Sequence, residues 1–180
     1  YVNSSGFDPT LFHDDDGRKW FLKMRWDHRG PGSGCNPAHH YFDGILLQEW
    51  SPEHGLFGPV ENIYCGTVLG LSEGPHVFKR GGWSYLTVAE GGTGYNHAVT
   101  MARSRSIHGP YETHPQKHLL YAGNAPQNPL QKTGHGQYVE TPDGTPYHTF
   151  LTGRPRGSPD RACPLGRETG LAKCVWKEDG

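Results

Sequence analysis

Short apolar and aromatic runs of strand length, such as TLF from Thr10, WFLKM from Trp20, WSYLTV from Trp83 and YHTFL from Tyr147, are separated by polar clusters that almost always carry glycine or proline. Runs of this length with turn residues on both sides predict β-strands joined by tight turns rather than long helices. Three segments share one layout, a polar residue, a first strand, a turn ending in glycine and a second strand. They are DPTLFHDDDGRKWFLKM from Asp8, EGPHVFKRGGWSYLTV from Glu73 and HGQYVETPDGTPYHTFL from His135. In each, the leading polar residue stands 9 positions before the turn glycine (Gly17, Gly82, Gly144), and these glycines repeat at intervals of 65 and 62. A third strand is predicted in every unit: GILLQEW from Gly44, HAVTMAR from His97 and TGLAKCVW from Thr169. In the first two units that strand is expected to run into a corner, at Gly58-Pro59 and Gly109-Pro110.

Units of four strands at such a period are the signature of β-propeller blades. The fold class expected is therefore all-β, a β-propeller of which about three blades are present, with residues 1–180 forming one partial propeller and units beginning near 8, 73 and 135. Propellers close with typically 4 to 8 blades, so the chain is expected to be a fragment whose missing blades are supplied in cis. Its start without Met points the same way.

Composition agrees. Gly 26 and Pro 15 among 180 residues suit many turns, and the formal net charge of −1 offers no basic footprint for nucleic acid or an anionic membrane. No apolar stretch approaches the roughly 18 residues of a membrane span, and the first residues lack the pattern of a signal peptide. Compartment is left open. Cys35, Cys65, Cys163 and Cys174 form no C-x-x-C pair; two disulfides and four free thiols are both compatible with the spacing. The Asp14-Asp15-Asp16-Gly17 turn lacks the spaced ligands of a calcium loop and reads as a solvated hairpin turn.

In a propeller the first strand of each blade lines the central channel, which brings Asp8, Glu73 and His135 toward one mouth. The loops from second to third strand return to that mouth, and they are the longest in the chain. Two readings fit the carboxylates: a pair for glycoside hydrolysis, one of them a proton donor, or caps on backbone amides in the turns that follow. Asp27, Glu90 and Asp160 lie on the same side and are read as residues that order their loops. His39, His40 and His114 fit no metal spacing and are read as surface loop residues.

The stretches NSSGFDPTLFHDDDGRKWF, WDHR, YFDGILLQEW, EGPHVFKR, AEGGTGYNHAVTMARSRSIHGPYE, GHGQYVETPDGTPYHTFLTGRP and LGRETGL resemble glycoside hydrolase family 43, in particular its β-xylosidases. The resemblance implies a five-bladed propeller that hydrolyses β-1,4-xylosides with inversion. The alternatives are an α-L-arabinofuranosidase of the same family and a carbohydrate-binding propeller module without turnover. It implies Glu73 as general acid, Asp8 as the residue that positions the acid and tunes its pKa, and His135, Arg167, Trp26 and Thr93 as substrate-binding residues. No cofactor is required; some members hold a calcium ion near the axis, for which His135 is the indirect ligand. The family's general base lies N-terminal to everything in this sequence, so the isolated chain is expected to be inactive. The implied partner is a small xylo- or arabino-oligosaccharide.

Overall fold

The computed structural model describes residues 4–26, 35, 42–157 and 161–178. Every regular element among them is a β-strand, in three antiparallel sheets. The first sheet runs in chain order through β1 (Phe7–His13), β2 (Lys19–Trp26), β3 (Phe42–Ser51) and β4 (Gly55–Tyr64), and the second through β5 (Glu73–Arg80), β6 (Trp83–Glu90), β7 (Ala98–Ser104) and β8 (Glu112–Tyr121). The third contains β9 (Gln131–Gly134), β10 (Tyr138–Glu140), β11 (Pro146–Gly153) and β12 (Glu168–Lys173). Here β9 and β10 lie end to end along β11, and Gln137 and Thr149 exchange backbone hydrogen bonds in the gap. They are one inner strand interrupted by a bulge. Three such meanders are three blades of a β-propeller.

Two kinds of seam hold the blades together. Between the first and second sheets the core is aliphatic: Leu22, Met24, Ile45 and Leu47 pack with Leu86, Val88 and Ala102. Between the second and third it is aromatic, with Phe78 stacked on Tyr138 at 4.1 Å and Trp176 edge-on to Tyr85 at 4.9 Å. Strand β6 is buried along almost its whole length, as a strand covered on both faces must be. At the hairpin end of the sheets, Lys79 reaches Asp14 of the first blade and Arg80 reaches Glu140 of the third.

Three expectations need correction. Gly58-Pro59 is not a corner; it lies within β4, an edge strand whose register against β3 is irregular there. An edge strand tolerates proline because one side of it has no ladder to donate to. Gly109-Pro110 does lie in the loop between β7 and β8. His114 is a half-buried residue of β8, not a loop residue. The Asp14–Gly17 turn is a hairpin turn closed by the Asp14 and Arg18 backbones, but the Asp14 side chain is covered and paired with Lys79 rather than solvated. No disulfide joins Cys35, Cys65, Cys163 or Cys174 to one another.

Candidate active site

The site forms where three inner strands begin, and each begins with the same backbone device. Glu73 pairs with Ala89 and His76 with Thr87, so three residues of β5 are matched by two of β6. The same one-residue excess occurs between Phe7 and Thr10 in β1, and between Gly134 and Gln137 in the third sheet. The residue just inside each bulge is left-handed: Asp8 at φ 49°, Gly74 at φ 57° and His135 at φ 49°. Bulges re-aim the side chains beside them, and here they turn residues out of the strand toward the mouth.

This register corrects the sequence alignment by one position. Asp8 and His135 are structural equivalents of Gly74, not of Glu73. The equal spacing of nine arises because the middle hairpin turns on two residues, Gly81 and Gly82, while the other two use five, 14–18 and 141–145, and because β5 runs one residue farther from its bulge to the turn than the other two inner strands. The three side chains nevertheless converge. The Gly74 N–H donates to Asp8 Oδ2 at 3.1 Å, tying Asp8 to the residue beside Glu73. The His135 ring lies between the two acids, Nε2 3.9 Å from Asp8 Oδ2 and Nδ1 3.8 Å from Glu73 Oε1. Asp8 thus does cap a backbone amide, but one on the neighbouring blade, and in doing so it holds two carboxylates on one imidazole. Glycine at 74 makes the room: a Cβ there would stand 2.9 Å from His135 Nε2.

The Glu73 carboxylate, 3.8 Å from Nδ1, raises the His135 pKa; burial opposes this, and Asp8 adds further attraction. A raised histidine pKa contributes stability that is complete below the unfolded value, about 6.5, and is lost as pH rises through the folded value. In a chelator-treated sample, the His135 ring resonances should therefore titrate above 6.5. The midpoint should fall in Asp8→Asn and fall further in Glu73→Gln; a midpoint unmoved in both would separate His135 from these acids.

Arg167 and Thr93 are both exposed and line one cleft of about 300 Å³ with Lys132, Gly153, Cys163 and Gly166. Arg167 is close enough to lower the proton affinity of both His97 and His135. Trp26 ends β2 on the site side of the first sheet, but it packs against the aliphatic core. Asp27, Asp160, His39 and His40 lie outside the described residues.

Glu90 is fully buried at the end of β6. Its Oε1 accepts from Thr67 N–H and Ser72 Oγ, both at 2.7 Å, and its Oε2 from Thr67 Oγ1 at 2.8 Å and Thr100 Oγ1 at 2.6 Å. Its lone pairs are spent on fastening the segment that leads into Glu73. Sequence reading missed His97, which is 1% exposed and packs its ring onto Gly134, where a Cβ would come within 2.3 Å. Its Nδ1 donates to the Lys132 carbonyl at 3.0 Å, and burial pushes its pKa down. The ligating atoms of Glu73, His97 and His135 all lie within 4.8 Å of one another. Two imidazoles and one carboxylate do not fit a directly held calcium ion, which takes six to eight oxygens.

The sequence model described as "Glycosyl hydrolases family 43" matches residues 1–180. Xylosidase/arabinosidase 43B of Humicola insolens is 56% identical over 180 residues, 99% of this chain and 32% of that protein. The β-xylosidase of Bacillus subtilis (strain 168) is 46% identical over 186 residues, covering 99% of this chain and 34% of its own. The crystal structure of xylan β-1,4-xylosidase from Bacillus halodurans C-125 superposes with a TM-score of 0.90 at 55% identity, over 100% of this chain and 33% of that one. The chain thus spans about a third of the length of these relatives.

Proposed function

The chain belongs to glycosyl hydrolases family 43, and from that premise we propose that it forms the proton-donating side of an exo-acting β-1,4-xylosidase site completed by further blades of a longer polypeptide. Glu73 donates the proton to the leaving oxygen. Asp8 positions it through the Gly74 amide and tunes its acidity, as the family resemblance implies. The observation that carries this reading is the contact between blades: one carboxylate fixed on the backbone beside the other, with His135 between them. His135, Arg167 and Thr93 supply the polar wall for sugar hydroxyls, and Trp26 an aromatic edge on the first blade. No cofactor takes part. A calcium ion near the axis would be held mainly through water, with His135 as its contact to the protein.

The general base lies in a segment outside this sequence, so the chain alone is expected to be inactive, and the chain extended to the length of its relatives to be active. α-L-Arabinofuranoside hydrolysis is the second reading, favoured by the dual name of the Humicola relative. A sugar-binding module without turnover would keep the pocket and lack the base.

A base-activated water attacks opposite the leaving group in one step, so the first product released carries the inverted anomeric configuration. Proton NMR during the first minutes of hydrolysis, before mutarotation, reads this directly. Retention would require a carboxylate nucleophile and would overturn the mechanism.

A further inference from the structure

We propose that Glu73, His97 and His135 form a site for a divalent transition cation of the zinc type, whose occupation switches off the proton-donating side of the active site. The switch rests on the reading of Glu73 as general acid; the metal site does not.

The three ligands come from separate elements: the first residue of β5, the residue before β7 and the bulge between β9 and β10. Their ligating atoms lie within 4.8 Å of one another. Zinc bonds of about 2.0–2.2 Å place tetrahedral ligands roughly 3.4 Å apart, so the cluster has to tighten by about an ångström. Glu73, half-buried at a strand start, can supply that movement.

His97 is the observation that points to a ligand. The Lys132 carbonyl takes the Nδ1 proton, which leaves the lone pair on Nε2, and that atom is buried without a hydrogen-bond partner among the described residues. An imidazole whose second nitrogen is held by a backbone carbonyl is the usual outer arrangement around a metal-bound histidine. His135 matches it: with its Nδ1 on the metal, its Nε2–H faces Asp8. A carboxylate–histidine–metal chain results. The negative charges of Glu73 and Asp8 offset Arg167, whose field reaches both histidines.

Two nitrogens and one oxygen select zinc, nickel or copper over calcium or magnesium. A ligating His135 must be neutral at Nδ1, so binding competes with protons there. A Glu73 carboxylate bonded to the cation has no proton to give to a leaving group.

The test uses the chain at the length of its relatives, stripped with chelator and titrated calorimetrically with zinc chloride, with calcium chloride in parallel. One zinc per chain is expected, undisturbed by calcium. His97→Asn keeps a donor for the Lys132 carbonyl but removes Nε2, and should weaken zinc at least about 100-fold, beyond the 10–100-fold cost of losing an outer partner alone. Equal zinc affinity in that variant, or displacement by similar calcium concentrations, overturns the site. Should His97→Asn fail to fold, cobalt(II) added to the parent protein decides. Intense visible bands of a four-coordinate histidine site, bleached by zinc and not by calcium, support the site, and their absence overturns it. Zinc should slow xylobiose hydrolysis far more than that of an aryl xyloside with an acidic phenol. Equal slowing with zinc bound would remove the switch and the acid role of Glu73 while leaving the metal site standing.

Discussion

Glu73→Gln, in the chain at the length of its relatives, is expected to lower kcat/KM for xylobiose by about 10²–10⁴-fold, the usual contribution of a positioned proton donor. The departing sugar oxygen is strongly basic and cannot leave without a proton. An aryl xyloside with an acidic phenol leaves as the anion and should lose much less. Gln is nearly isosteric, and the Gly74 backbone rather than the Glu73 side chain anchors Asp8; at a pH where His135 is neutral, the melting temperature should hardly change. Equal losses on the two substrates would make Glu73 a structural residue, even an essential one. The comparison of substrates therefore carries more weight than the size of either loss.

Glu90→Ala should do the opposite, reducing stability first and activity as a consequence. Two hydroxyls donate to one carboxylate in a fully buried place, joined by the Thr67 N–H and hydroxyl. Hydrogen bonds to a charged acceptor contribute about 1.5–3 kcal/mol each, so losing the acceptor should cost at least about 3 kcal/mol. Glu90→Gln keeps one oxygen and lets the hydroxyls turn to accept from its amide; its loss should be smaller. Urea midpoints of the three proteins give the order directly, and an Ala variant within about 1 kcal/mol of the parent would contradict it. Because Ser72 immediately precedes Glu73, the Ala variant should also lose activity well below its melting temperature.

The contrast between these two glutamates shows where sequence reading reaches its limit. The repeat of aromatic strands around Gly17, Gly82 and Gly144 is local, and it is enough to indicate three blades and the mouth at which Asp8, Glu73 and His135 meet. Bulges are not visible in such a repeat. They insert a residue without changing composition, so the one-residue offset of Glu73 emerges only from the pairing of β5 with β6. Pro59 misleads for a related reason, since whether a strand lies at an edge depends on its neighbours. Glu90 and His97 look like polar residues at loop ends. They are buried because Thr67, Ser72 and Thr100 close over one and Gly134 packs on the other. A hint was available for His97 in the small and apolar residues that follow it, Ala98-Val99.

The cross-blade ion pairs at the hairpin ends have a consequence for how the ring is put together. Neighbouring residues of one strand, Lys79 and Arg80, point opposite ways, and each meets an acid from a different sheet, Asp14 on one side and Glu140 on the other. The Arg80–Glu140 pair is exposed on both sides and Lys79 is partly exposed above a covered Asp14; pairs this close to solvent add only about 0–1 kcal/mol to stability. Their greater effect is on order. The middle sheet carries both cations and its flanking sheets the two anions, so an arrangement that set the outer sheets side by side would strand both acids without their counterions. Charge thus acts as an assembly code that reinforces the difference between the aliphatic and aromatic seams, and one that high salt should blur before it unfolds any single sheet.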